Sequence, residues 1–194
     1  MPSNFQPGTV NSHLIAAIDL APTMLDIARA KKPAKMEGEI FLGERAAEPR
    51  QYVFGARDRC DETVFRFRTV RDARYRYIRN FTPDRPFLQT NDYKERSYPV
   101  WNLLKQLHAE GTLTPPQEFL CAPTMPEEEL YDNETDHYEI LNLAKSDRPE
   151  HQAALKRLRK ALEKWIEDTR DRGRVLEPPE LAARKGATKP GTVP

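Results

Sequence analysis

Cysteine is scarce in this 194-residue chain, with two residues, Cys60 and Cys121. No C-x-x-C occurs and no cysteine–histidine cluster stands at metal-ligand spacing, so no zinc site is expected. One bridge between the two thiols is formally open, but nothing places them together, and two free thiols are expected. An excess of one charge sign is also missing: 31 Lys and Arg face 30 Asp and Glu, for a formal net charge of +1. A nucleic-acid-binding domain usually carries a basic excess. Long hydrophobic runs are absent as well, and no stretch approaches the ~18 apolar residues that a membrane span needs. The opening MPSNFQPGTVNSH has neither the basic start nor the apolar run of a signal peptide. The chain therefore reads as soluble, without a membrane partner and with no compartment assigned. The four histidines (His13, His108, His137, His151) are scattered, two of them on expected helix surfaces, and Glu127, Glu128 and Glu129 read as a solvated run.

Proline is plentiful instead. Its 17 residues are near twice the usual share of ~5%, so much of the chain is expected to be irregular. A first helix follows Asp19, read as its N-cap, with Pro22 in the first turn and Leu20, Met24, Ile27 and Ala28 at helical spacing. Residues 33–50 read as a loop and QYVFGAR (51–57) as a strand. From Thr82 to Pro126 seven prolines surround a single expected helix, Val100 to Glu110, stopped by Gly111. EEELYDN (127–133) reads as an edge strand. Asp136 and Glu139 after it have the spacing of a capping box. The last helix begins near Asp147 and Pro149, carries Leu155, Leu158, Leu162, Trp165 and Ile166 on one stripe, and is expected to end at Gly173.

Residues 63–81, TVFRFRTVRDARYRYIRNF, interleave six arginines with aromatic side chains. Those are the ingredients of a single-strand binding surface, and a binding module for nucleic acid or a sulfated polysaccharide is the alternative reading of the chain. Alternation argues the other way. Two strands, about 64–70 and 74–80, turn at Arg71-Asp72-Ala73. Phe65 and Phe67 then oppose Arg66 and Arg68, while Tyr75, Tyr77 and Arg79 oppose Arg76 and Ile78. The rings are expected to share one buried face and the arginines to face water, as in an antiparallel sheet with one wet side.

Three segments carry a family resemblance: IDLAPTMLDIA (18–28), YVFGARDRCDETVFRFRTVRDARYRYIRNF (52–81) and ELYDNETDHYEILNLA (129–144), followed by an amphipathic helix. In this order they resemble the C-terminal region of the sulfatase family, in particular bacterial sulfatases related to heparan N-sulfatase, over residues ~10–172. His137 stands where the family commonly has a first-turn proline. The implied fold is α+β: about four antiparallel strands packed against a C-terminal amphipathic helix, with an N-terminal helix and long irregular loops. The implied organisation is a segment 1–33 left over from the end of the sulfatase α/β domain, a C-terminal subdomain over 34–174, and a disordered tail, 175–194.

The resemblance also implies where the chemistry lies. The family's N-terminal α/β domain carries a C/S-x-P-x-R motif whose first residue becomes formylglycine, ligands for one calcium or magnesium ion, and cationic groups for the sulfate. None of these motifs is present, and neither cysteine is followed by both Pro at +2 and Arg at +4. The chain is thus expected to hold no cofactor and no catalytic or metal residue of its own, and to be inactive alone. Its partners would be a sulfatase catalytic domain in trans and, in the full-length family, a sulfated carbohydrate or aryl sulfate. With that domain present, the loop Arg57, Asp58, Arg59, Asp61 and Glu62 would contribute substrate contacts, since arginine binds such anions bidentately. Arg71, Asp72 and Arg74 read as turn chemistry, and Asp132, Asp136, Glu139 and Asn142 as caps docking the last sheet edge. Tyr93, Tyr98 and Trp101 either line a carbohydrate cleft or pack.

Overall fold

A computed structural model describes Gly8, residues 10–176 and Pro178; the expected disordered tail lies almost wholly outside the described residues. A one-turn 3-10 helix, Ala17–Asp19, leads into α1 (Leu20–Ile27). Strands β1 (Val53–Arg57), β2 (Phe67–Arg71) and β3 (Tyr75–Asn80) follow. Three short helices come next: α2 (Asp92–Ser97), α3 (Pro99–Ala109) and α4 (Pro115–Cys121). Then β4 (Glu128–Asp132) and the 20-residue α5 (Pro149–Asp168) complete the order. The strands form one antiparallel sheet in the order β1-β2-β3-β4, which makes the chain α+β, as the resemblance implied.

The β2–β3 hairpin closes where its turn residues allow. Asp72 accepts hydrogen bonds from the backbone of Arg74 (2.9 Å) and Tyr75 (2.7 Å), an Asx-type turn that sets Arg71 opposite Arg76. Residues directly opposite in an antiparallel ladder share a face. Val70, Tyr77 and Leu130 therefore point together, and with Tyr75 they meet Leu155, Leu158 and Leu162 of α5 in the main core. Phe54 adds a stacked ring contact with Trp165 at 5.3 Å. The stripe on α5 is buried as its spacing predicts, and Pro149 occupies the first turn, where its missing N–H costs nothing.

The two faces differ from expectation in one respect. Phe67 pairs with Asn80, across the sheet from the Tyr77 side, so Phe65 and Phe67 do not share the tyrosines' face. They pack with Phe87 in a second cluster, at 5.0 and 5.7 Å from the Phe65 ring. That second face is not simply wet. The segment between β3 and β4 folds back over part of it, held by Gln89 on both backbone groups of Val64 and by Met125 N–H on the Pro83 carbonyl. Reversal of a chain over a sheet face cannot be read from alternation, which counts only a strand's own residues.

The arginines also depart from the expected wet side. Arg66 and Arg68 are 5% and 1% exposed, because each meets a carboxylate inside the fold. Arg74 pairs with Asp132 (2.6 Å), Arg76 with Glu139 (2.7 Å), and Arg79 with Glu127 (2.5 Å). The rings of Phe65, Tyr75 and Tyr77 are buried.

Three local expectations are corrected. The 82–126 segment holds three helices rather than one. Asn91 caps α2 by accepting from Lys94 N–H, and Thr114 with Gln117 forms a capping box on α4. Asp136 and Glu139 start no helix: the Asp136 carboxylate accepts from Ile140 and Leu141 N–H at 2.8 Å each, and Glu139 takes φ +55°. Asn142 docks the edge of β4 as expected, accepting from Leu130 N–H and donating to the Glu128 carbonyl. Finally, α5 stops at Arg170 (φ +54°), whose left-handed backbone lets Asp171 N–H reach the Ile166 carbonyl. Gly173 has another duty, described below.

Candidate functional site

The loop after β1 is built by a tight reversal. Cys60 and Thr63 exchange backbone hydrogen bonds (2.9 and 3.0 Å) around Asp61, whose φ is +51°. Thr63 is fully buried and its hydroxyl accepts from Asn91 at 3.1 Å. The loop is thus tied to the start of α2, and Glu62 reinforces the tie by accepting from Asp92 N–H at 2.9 Å. A carboxylate there also suits the helix's N-terminal partial charge.

Asp58 lies under two guanidinium groups, at 3.0 Å from both Arg66 and Arg68. Arg68 forks further to Asp171 beyond α5, at 2.7 and 3.0 Å. Burial pushes the Asp58 carboxyl up, but the hydrogen bonds from Arg68 and Arg66 outweigh it and hold it below the ordinary aspartate value; the Arg68 bonds do the same for Asp171. A Cβ on Gly173 would sit 2.1 Å from Arg68 Nη2, so the glycine makes room for this clamp. Of the five residues predicted from sequence, Asp58, Asp61 and Glu62 therefore hold the loop together, and Arg59 donates to the Asp61 carbonyl at 3.2 Å.

Arg57 stands apart. Its guanidinium lies over the Phe65 ring at 4.1 Å and has no carboxylate partner among the described residues. It opens onto a cleft of about 450 Å³ between the second sheet face and α4, with Phe67, Ile78, Phe87, Phe119 and Met125 in its walls. The opposite end is polar, with Arg76, Glu129 and Glu139. Sequence reasoning missed this cleft because its lining comes from β1, β2, β3, β4 and the segment packed across them.

The residues expected to be bland divide. Among the described residues no group of three or more His, Cys, Asp or Glu could hold a metal ion. His13 and His137 are exposed, and His108 contacts Glu118 at 2.7 Å. His151, expected on a helix surface, is buried with Nδ1 at 2.7 Å from the Ser146 hydroxyl. Glu128 and Glu129 are not a solvated run: Tyr77 donates to Glu128 at 2.5 Å, Arg159 pairs with Glu128, and Tyr131 donates to Glu129. Both cysteines are free. Burial raises the Cys121 thiol, the reverse of an activated nucleophile. Trp101 is packed, whereas Tyr93 and Tyr98 meet edge to face at the surface.

A second feature is the N-terminal face. Asp19 stands at the N-cap position of α1 as expected, but its buried carboxylate makes no cap bond to the helix; it accepts from Ala16 N–H (2.9 Å), Glu39 N–H (2.8 Å) and the Arg50 fork (2.9 and 2.5 Å). Burial alone would raise its carboxyl, but Arg50 and the two backbone donors hold it below the usual range. Polar bonds thus pin α1 to residues 38–50, while its apolar stripe is left open. Ile18 is 56% and Met24 66% exposed, with Ile15, Leu20 and Ile27 also exposed. No described helix is long and apolar enough to cross a membrane.

Comparison with known proteins agrees with this architecture. An ulvan-active sulfatase of Formosa agariphila is 39% identical over 165 residues, 85% of this chain and 27% of its own length. A second ulvan-active sulfatase of that organism is 29% identical, covering 85% of this chain and 31% of its own. The chain therefore spans less than a third of either relative. The solved structure of a 2-O GAG sulfatase shares the fold, with TM-score 0.54 and 21% identity over 90% of this chain and 30% of that one. The model of the C-terminal region of N-sulphoglucosamine sulphohydrolase matches residues 1–110, and this chain belongs to that family.

Proposed function

We propose that the chain is the C-terminal part of a sulfatase-like hydrolase that removes sulfate, as an ester or N-sulfo group, from a sulfated carbohydrate, and that it does not turn over substrate alone. Sulfate transfer needs an activated nucleophile and cationic groups where negative charge develops. The C/S-x-P-x-R motif is absent from these 194 residues. The formylglycine and the calcium or magnesium ion would come from a catalytic domain in the same polypeptide or in trans. This chain would supply the mouth of the substrate site through the 57–62 loop, with Arg57 as the anion contact.

The observation that carries the reading is the open apolar face of α1. Five large apolar side chains lie exposed on a segment whose polar groups are fully organised, as on a surface made to be covered. Mixing the purified chain with a separately produced sulfatase catalytic domain, and adding calcium or magnesium, tests it. Complex formation by gel filtration and sulfate release from a chromogenic sulfate ester by the mixture, with none from the chain alone, is the expected result. Sulfate release by the unaided chain would overturn it.

A further inference from the structure

We infer that the cleft between the second sheet face and α4 is a saccharide subsite that takes an anionic sugar, with the sugar's anionic group on Arg57 and its apolar ring face against Phe67, Phe87 and Phe119. The inference rests on the proposed sulfatase reading for the choice of a carbohydrate, but its own support is local. At about 450 Å³ the cleft falls within the ~300–1,000 Å³ range of small-molecule sites. Its long walls are aromatic and aliphatic, and its two ends are polar, which is the pattern that orients an amphipathic ring.

Charge selects the ligand. The other arginine that lines the cleft, Arg76, is neutralised by Glu139. Arg57 has no such partner among the described residues, yet it is held in place by the Phe65 ring at 4.1 Å. Phe65 is itself 1% exposed and packed against Phe67 and Phe87. A fixed, unneutralised guanidinium at the mouth of an apolar cleft is matched by a sulfate or a carboxylate, which it engages bidentately. At the far end Glu129 and Glu139 present carboxyl oxygens that accept from sugar hydroxyls and repel a second anion there. Gly55 lines the wall, and a Cβ there would press to 2.9 Å from the Thr69 methyl, so the strand stays thin at this point.

The test is calorimetric titration of the 194-residue chain with a heparin tetrasaccharide, its fully desulfated counterpart, which keeps the carboxylates, and a neutral maltotetraose. Saturable binding of either anionic sugar and none of the neutral one is expected, and the two anionic arms separate sulfate from carboxylate. Arg57→Ala should weaken binding about tenfold or more, and Phe119→Ala should weaken it as well. Arg71→Ala removes the exposed arginine at the far end of β2 and should leave binding unchanged. Circular dichroism confirms that each variant is folded. Absence of saturable binding, or equal losses in Arg57→Ala and Arg71→Ala, would overturn the assignment. Complex formation with the catalytic domain, read by gel filtration, depends on the exposed α1 face and on no residue of the cleft, so the subsite and the proposed function can fail separately.

Discussion

The helix at each end of this chain carries an apolar stripe, and the two have opposite fates. On α5, Leu155, Leu158 and Leu162 are each at most 2% exposed against the sheet. On α1, Leu20, Met24 and Ile27 stand half or more in solvent, or close to it, while Asp19 beneath them is held by four hydrogen bonds. Spacing alone does not distinguish the two stripes. What differs is the surface opposite: α5 finds β2 and β3, whereas among the described residues α1 is pinned to residues 38–50 by polar bonds and its apolar stripe stays exposed. A stripe at helical spacing announces a partner surface, and the tertiary structure says whether that surface belongs to the same chain.

The contrast breaks most sharply with truncations on each helix. Leu158→Ala should cost about 2–5 kcal/mol in denaturant unfolding, the range for an emptied core site. Arg68→Met removes the fork that joins Asp58 to Asp171 and should cost about 1.5–3 kcal/mol, since hydrogen bonds to charged groups are lost. Gly173→Ala acts on the same clamp and should cost about 1–3 kcal/mol by overpacking. Were Gly173→Ala neutral, the clamp would be less rigid than its geometry implies.

Acid sharpens the comparison further. The carboxyls of Asp19, Asp58, Asp132 and Asp171 are all held below their ordinary values. A carboxyl depressed on folding stabilises fully above its unfolded pKa, near 3.9, and loses that contribution as pH falls through the lower folded value. The chain should therefore destabilise progressively below about pH 4, and Arg68→Met should flatten that acid limb by removing the source of two depressions. At the small end, Met24→Gln should change the stability of the 194-residue chain by no more than about 0.5 kcal/mol. The same substitution should weaken association with a catalytic domain, a difference that titration of the two proteins reads directly.

Much of the architecture was legible in the residues. Strand alternation around Asp72 located the central hairpin, the Leu155–Ile166 stripe located α5, and the motif order placed the chain in its family. Two helices were missed. The Thr114-Pro115-Pro116-Gln117 signal of α4 is visible in hindsight as a capping box with proline in the first turn. For α2 the cap is Asn91, whose other bond goes to Thr63, 28 residues away, and no local pattern reveals that. In the candidate site, sequence placed Arg57 correctly at the strand end. It could not say that Asp58 and Glu62 would be consumed by Arg68 and by the start of α2, because those partners lie far away in the chain.

The residues by themselves determined the strands, the long helix, the near-neutral charge and the absence of a nucleophile motif, since periodicity, composition and short motifs are local properties. Only the tertiary structure decided which arginines are buried as clamps and that Arg57 stays without a carboxylate partner among the described residues. It also decided which sheet face is roofed by α4 and which apolar stripe is left open. Those outcomes depend on where a guanidinium finds a carboxylate or a ring in space, and burial makes the difference energetic, because a desolvated charge must be paired whereas an exposed one need not be.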